Sequence, residues 1–336
     1  MRLNLPKKFA GRPKSAHDPG RTPHPATRPG TERTGREPSS EVSMSLGYYR
    51  YIKGRLVVRQ RQSPDGDSMR FIADDMTLFQ GLPRFAQPSE AGGEESYQLR
   101  FQAIDTPELH YGGAEQPHGL ESRNGLLEWL GVDPAGWDWT VAPSGFAWET
   151  EAAILCDGFE GHGRPIAFVL PRQKIKDGAD VKLTKALLGK TYNFHAVANG
   201  LAYLGLYSGG LSFDSQTRLI AAYQQAKTAR RGIWRLDRSK RFTVSTLDDL
   251  GPETGVLVYP KIFRRCVDAL RWVGGEFEPG RDLDNFLAAR SGEDDQFLVR
   301  ALHGGQVKTR LSQALEQINN QIRIQVDLNT VEFVSK

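Results

Sequence analysis

The sequence predicts an α+β protein whose main body is a small β-barrel with two or three helices packed on it. Two observations predict this. Between residues 46 and 238 the pattern is mostly short strand candidates, one of which (97–104) alternates apolar and polar residues with period two, and helical spacing interrupts them in only a few places. Strands and helices do not alternate as in a parallel βαβ sheet, so closing a mostly antiparallel sheet is what would bury the apolar faces. At 336 residues the chain also exceeds one typical domain. It divides into a basic tail (1–45), the barrel domain (46–238) and a smaller C-terminal α+β segment (239–336).

Residues 1–43 read as disordered. They are rich in Pro, Gly, Arg, Thr and Ser and nearly lack branched apolar residues, so burial cannot offset the entropy of ordering them. Residues 55–61 form a strand candidate that enters the turn Ser63-Pro64-Asp65-Gly66 and returns over 68–72. Residues 97–104 alternate, with Tyr97, Leu99, Phe101 and Ala103 on one face and Gln98, Arg100 and Gln102 on the other. Leu120, Arg123, Asn124, Leu127 and Leu130 then sit at helical spacing, with Gly131 placed as a stop. Residues 151–156 and 165–170 are short strands flanking a turn over 157–164. A helix follows over 213–230, with Phe213, Thr217, Ile220, Tyr223 and Lys227 on one face and Gly232 as its stop.

After Asp237 the pattern changes. Residues 260–273 place Ile262, Phe263, Cys266, Val267, Leu270 and Val273 on one helical face, with Pro260 near the start. Residues 282–289 and 308–318 are two more helix candidates, and 323–334 alternates like a closing hairpin around Asn329-Thr330.

Charge is unevenly spread. Residues 1–43 hold nine Lys and Arg against four Asp and Glu, whereas the whole chain holds 44 against 40; the remainder therefore carries 35 against 36. The folded body is near neutral, and any nucleic-acid surface must come from local clustering. Cys156 and Cys266 make neither a disulfide framework nor a zinc spacing. No apolar run is long enough to span a membrane, and neither Met1 nor Met44 begins a secretory leader, so a cytoplasmic, reduced setting is the expectation.

Two segments carry candidate chemistry. Asp65-Gly66-Asp67-Ser68 is first a hairpin turn, but its carboxylates could also present oxygens to a hard cation. In Arg100-Phe101-Gln102-Ala103-Ile104-Asp105-Thr106-Pro107-Glu108, the arginine lies on the polar face of a strand that Pro107 ends. Two acids around a restrained carbonyl are thus displayed within reach of a guanidinium. A surface ion pair and a binding site remain open from these residues alone.

The Arg-x4-Asp-Thr-Pro-Glu run, preceded by Asp-Gly-Asp-Ser and followed by Gly163-Arg164, Gly200-Leu201-Ala202 and Arg231-Gly232-Ile233-Trp234, resembles the staphylococcal nuclease (thermonuclease) family over roughly residues 50–236. The resemblance implies an OB-fold, a five-stranded barrel with three helices, and calcium-dependent cleavage of DNA and RNA to 3′-phosphate ends. Under it, Asp67 and Asp105 ligate Ca2+ with the backbone carbonyl of Thr106. Glu108 acts on the attacking water, and Arg100 and Arg164 grip the phosphate. Asp65 answers to an acid behind the ligands, and with His162 and Tyr207 is taken to the substrate side. The sequence departs from the pattern in places. His162 stands where a tyrosine is expected, and one of two tyrosines after Gly-Leu-Ala is missing, Tyr207 matching the other across a gap. Residues 132–149, which include Trp137, Trp139 and Trp148, and residues 170–197 are longer than the family needs; His110 and His118 read as polar loop residues.

A rival expectation is a barrel that binds nucleic acid without cutting it. A further one is a C-terminal segment that docks a protein partner through an exposed face of the helix at 260–273.

Overall fold

The fold is organised by its first strand, which is apolar on both faces. The computed structural model describes residues 47–58, 64–91, 94–136, 148–300 and 305–334, all within one compact unit. The expected disordered tail, Trp137 and Trp139 lie outside the described residues.

Strand β1 (Tyr48–Val58) buries Tyr49, Tyr51, Ile52, Leu56, Val57 and Val58 and pairs antiparallel with β2 (Ser68–Ala73). A short β3 (Ser89–Ala91) and β4 (Glu94–Phe101) follow; β5 (Ala103–Asp105) and α1 (Gly119–Trp129) come next. Then come β6 (Trp148–Phe159), β7 (Pro165–Leu170), β8 (Asp180–Lys182), the single turn α2 (Lys185–Leu188), α3 (Tyr192–Asn199), β9 (Tyr203–Gly205) and α4 (Phe213–Thr228).

Hydrogen bonding runs β2–β1–β6–β7–β4, and β4 pairs back onto β2. The result is a closed, OB-like five-stranded barrel in a chain of mixed α and β content. All its pairings are antiparallel except β4 with β7. Closure removes the free edges that an open sheet would expose. Alternate residues of β4 fill the barrel as the pattern predicts: Tyr97, Leu99 and Phe101 are buried.

Two of the sequence pieces that carried the resemblance meet in space. Gly200 ends α3 with φ 71°, Gly232 has φ 48°, and the amide of Ile233 donates to the Gly200 carbonyl at 2.9 Å. A Cβ on Gly232 would come within 2.1 Å of that carbonyl oxygen, and one on Gly200 within 2.3 Å of Arg231 O. Both glycines are therefore required by backbone contact between α3 and the turn after α4. Trp234 seals this corner against Tyr203 and Tyr223, with ring centroids 5.1 and 5.0 Å away.

The C-terminal elements are β10 (Arg241–Thr243), α5 (Pro260–Val273), α6 (Leu283–Ala289), β11 (Gln296–Arg300), β12 (Gln306–Arg310), the single turn α7 (Leu311–Ala314), β13 (Leu315–Ile318), β14 (Gln321–Ile324) and β15 (Glu332–Phe333). They dock on β9 and the residues after it. Phe333 N donates to Leu206 O and Ser208 N to Phe333 O, each at 2.8 Å, while Tyr259 Oη donates to Leu204 O at 2.6 Å. Strand β9 in turn pairs with β5, so this segment reaches the end of the barrel that carries Asp105.

Several expectations are corrected here. Residues 308–318 are strand, one helical turn and strand rather than a helix; Val307 and Ile318 are exposed, so the apolar spacing did not mark one buried face. Residues 323–334 are not a hairpin: β14 pairs with β10 and β13, and β15 with β11. Leu120 and Phe213 sit at the solvent side of α1 and α4, whose buried faces combine Leu126, Leu127, Leu219 and Tyr223 with small and polar residues such as Ser122, Gly125, Ser215 and Gln216. Close helix packing favours such residues, and an apolar count overlooks them. Helix α5 matches its prediction to the residue, and its six predicted apolar positions are all buried. Both cysteines are buried and free. No helix among the described residues is long and apolar enough to cross a membrane.

Candidate active site at one end of the barrel

Three backbone segments converge where β4 gives way to β5. The strand stops there because Ala103 takes φ 67°, in the left-handed region, which redirects the chain onto β9. Asp105 is consequently buried at the end of β5 opposite Tyr203. The turn before β2 approaches from the side. Asp65 bonds its own turn through Gly66 N at 3.0 Å, and Tyr192 Oη donates to Gly66 O at 3.0 Å. Asp67 Oδ2 accepts from Thr106 N at 3.2 Å, which ties the two acidic segments together. The loop bearing Glu108 is fixed by Gln116. Its Oε1 accepts from Glu108 N at 3.1 Å, and its Nε2 donates to Val258 O at 2.8 Å.

The cations come from separate elements. Arg100, opposite Ser68 and Ile166 in the barrel register, donates from Nη2 to Tyr207 Oη at 2.9 Å and lies 4.8 Å over that ring. Arg164 sits at the end of the turn joining β6 and β7 and donates from Nε to Glu160 Oε1 at 3.0 Å. Asp65, Asp67, Arg100, Asp105, Glu108, His162, Arg164 and Tyr207 all line one cavity of about 810 Å³. The sequence-predicted side chains are therefore gathered in one place, while Thr106 joins through its backbone bond to Asp67. His110 is felt electrostatically by Asp65, and His118 lies 4.0 Å from Glu121.

Sequence reasoning missed one group altogether. Helix α5 sends Arg264 into the acids: Nη1 and Nη2 donate to Oδ1 and Oδ2 of Asp105 at 3.2 and 3.0 Å, and Nη1 also donates to Glu108 Oε1. One helical turn earlier, Lys261 lies 5.8 Å from the Tyr207 ring centroid and pairs with Asp295 at 3.4 Å. Arg265 bonds Asp295 from Nε at 2.8 Å. The helix was legible from its apolar face. Which of its polar positions meets acids distant in sequence is set by docking and leaves no local signal.

Burial pushes the carboxyl of Asp65 up to about 7, with Asp67 adding to it. Burial likewise pushes Glu108 up to about 7, with Asp105 and Asp65 adding to the rise and Arg264 working against it. Asp67 is raised too, by burial and then by Asp105 and Glu108. For Arg264, burial favours the neutral form, but Asp105 and Glu108 outweigh it and hold the guanidinium well above its ordinary range. Burial would raise the Tyr207 phenol, but Lys261 and Arg100 outweigh it, so the group is lowered. The pattern is a cluster of buried carboxyls whose charged forms are disfavoured first by desolvation and then by one another.

Oxygen donors in that setting suit a hard divalent cation: two carboxylates and a backbone carbonyl are the ligand types calcium takes. The fit is conditional, however. Both oxygens of Asp105 are engaged by Arg264, and among the described residues no three acids, histidines or cysteines stand ready to hold a metal. Such an ion would therefore meet the Arg264–Asp105 pair before it could take Asp105 as a ligand. Comparison of the chain with protein-family models and with curated proteins returns no match.

Proposed function

We propose that this protein hydrolyses phosphodiester bonds of DNA or RNA with a calcium ion bound at Asp67, Asp105 and the Thr106 carbonyl, leaving 3′-phosphate ends. The observation that carries the reading is the convergence of Asp67, Asp105, Glu108, Arg100 and Arg164 on one cavity at the end of the barrel. These residues lie on three separate stretches of chain, so chance ion pairing is a poor account of their meeting. Bound there, calcium would supply positive charge against the phosphate.

The protein's own groups do the rest. Arg100 and Arg164 take the phosphate oxygens through planar guanidinium forks, which stay charged at any working pH and gain strength as negative charge builds. Arg100 is pre-oriented for this by Tyr207, which fixes one edge of the guanidinium. Glu108 accepts the proton of the attacking water, directly or through one further water. Incubation of the full chain with single-stranded DNA in CaCl2 or in EGTA tests the reading. Cleavage is expected with calcium alone, and cleavage in EGTA, or none in either, would overturn it.

A second reading, a barrel that binds nucleic acid without cutting, is favoured by the Arg264 contacts, which engage Asp105 and Glu108 together. Retained DNA binding with no cleavage in calcium would select it.

A further inference from the structure

We propose that Arg264 is the resident counter-cation of this site, so that a divalent ion reaches Asp105 only by displacing an arginine supplied by the C-terminal segment. The inference rests on the reading of Asp67 and Asp105 as ion ligands, and it goes beyond that reading by making the α5 helix part of the metal site.

The geometry argues for competition rather than for an incidental surface pair. Arg264 uses two nitrogens on both oxygens of Asp105, so its fork occupies the side of the carboxylate through which an ion would be held by both oxygens. The same Nη1 reaches Glu108 Oε1, so one guanidinium holds an acid of each proposed role. The pair is shielded: the side chains of Arg264 and Asp105 are 20% and 8% exposed. The attraction within a partly buried, bidentate pair is less screened than in open water, so an entering cation must compete with it.

Helix α5 itself is anchored. Lys261 and Arg265 both hold Asp295, Tyr259 bonds Leu204 O, and the apolar face is buried. Displacement is therefore a side-chain movement on a fixed helix. Arg264 lines the same cavity as Arg100 and Arg164, so a released guanidinium would still face that cavity. Binding of the ion would thus deliver a third arginine to the substrate side.

The test is calcium titration of the full chain by calorimetry, with thermal melting alongside, for wild type, Arg264→Gln and Arg264→Lys. Glutamine removes the competing charge, and calcium should bind about tenfold tighter or more than in wild type. Calcium should also raise the melting temperature of Arg264→Gln more than that of wild type. Adding Asp105→Asn to Arg264→Gln should abolish the gain. Lysine keeps the charge without the fork, so its affinity should fall between the two. If Arg264→Gln does not fold without calcium, the lysine variant decides alone. Calcium affinity in the folded variants equal to or weaker than wild type, including no binding by any of them, overturns the proposal. Cleavage of single-stranded DNA by wild type in saturating calcium is scored separately. Cleavage without the affinity gain refutes the counter-cation and leaves the nuclease reading standing, and the reverse result does the opposite.

Discussion

Replacing Arg100 by lysine separates charge from geometry at the proposed phosphate clamp. The side chain rises from β4 beside Ser68 and Ile166, and its guanidinium is held by Tyr207 Oη at 2.9 Å and by the Tyr207 ring 4.8 Å away. Lysine retains the positive charge that Asp67 and Asp105 feel, so the acids keep a cationic neighbour. It loses the planar fork and most of the stacking. The lost hydrogen bond and cation–π contact together should cost about 1–2 kcal/mol of stability. For a chain of this size that is a fall of a few degrees in melting temperature. The catalytic loss should be much larger, about 10²-fold in kcat, because a transition-state donor is removed while ground-state charge is kept. Arg100→Ala should lose about 10²–10³-fold. The assay is single-turnover cleavage of single-stranded DNA in CaCl2, with circular dichroism melting on the same preparations. Wild-type kcat in a folded Arg100→Lys would refute the clamp, since charge alone would then suffice. A proportionate collapse of fold and activity would assign the residue to stability instead.

Three further outcomes follow from single contacts. Gly54→Ala should destabilise the barrel by about 1–3 kcal/mol in urea unfolding: its Cβ would lie 2.2 Å from Ile72 O and 2.8 Å from Ala73 Cα, both backbone atoms of β2, and an unchanged midpoint would show that the strands can separate freely. Gly66→Ala should leave the fold largely intact yet lower kcat about tenfold, because its Cβ would press on the Thr106 side chain at 2.9 Å and shift one acidic segment against the other; unaltered kcat would refute that coupling. Asp157, on β6 beside the cavity, has its carboxyl pushed up to about 7 by burial. Its folded pKa thus exceeds the unfolded value near 3.8, so the native state keeps a proton that the unfolded chain releases between about pH 4 and 7, and stability drains away as pH rises through that window. Asp157→Asn should match wild type near pH 4 and exceed it at pH 8 by about 1–2 kcal/mol in urea unfolding; parallel pH profiles for the two proteins would show that the shift is absent.

How far the sequence reaches depends on the range of the forces involved. Strand β4 was legible because it carries its own alternation, which also identifies its buried face, and β6 and β7 were legible as short apolar runs on either side of a turn. Helix α5 was legible for the same reason, with an apolar stripe at helical spacing and Pro260 at its first turn. Residues 308–318 misled because Leu311, Leu315 and Ile318 satisfy a helical spacing by coincidence. The chain there is governed by strand partners in β11 and β14, which no local window contains. The faces of α1 and α4 misled for a related reason. Ser122 is buried because its Oγ donates to Leu201 O at 2.6 Å, a bond to a residue 79 positions away.

The candidate site divides along the same line. Its barrel half could be read because each side chain sits in a recognisable local frame: an Asp-Gly turn, a strand with one polar arginine, a proline that ends it. Its C-terminal half could not, because Arg264 differs from Arg271 or Arg290 in no local respect. Docking of α5 behind β9 alone gives it Asp105 and Glu108 as partners. That asymmetry bears on how the two halves depend on one another. An arginine removed from a buried acid pair leaves an uncompensated charge, at a typical cost of 3–5 kcal/mol, so the acids hold α5 in place as much as α5 shields the acids. Occupation of the site by a divalent ion would remove the electrostatic reason for that docking while Tyr259, Phe333 and the apolar face of α5 keep it in place. Under the proposed displacement the C-terminal segment would stay attached in either state, and what would change between them is the partner of a single guanidinium.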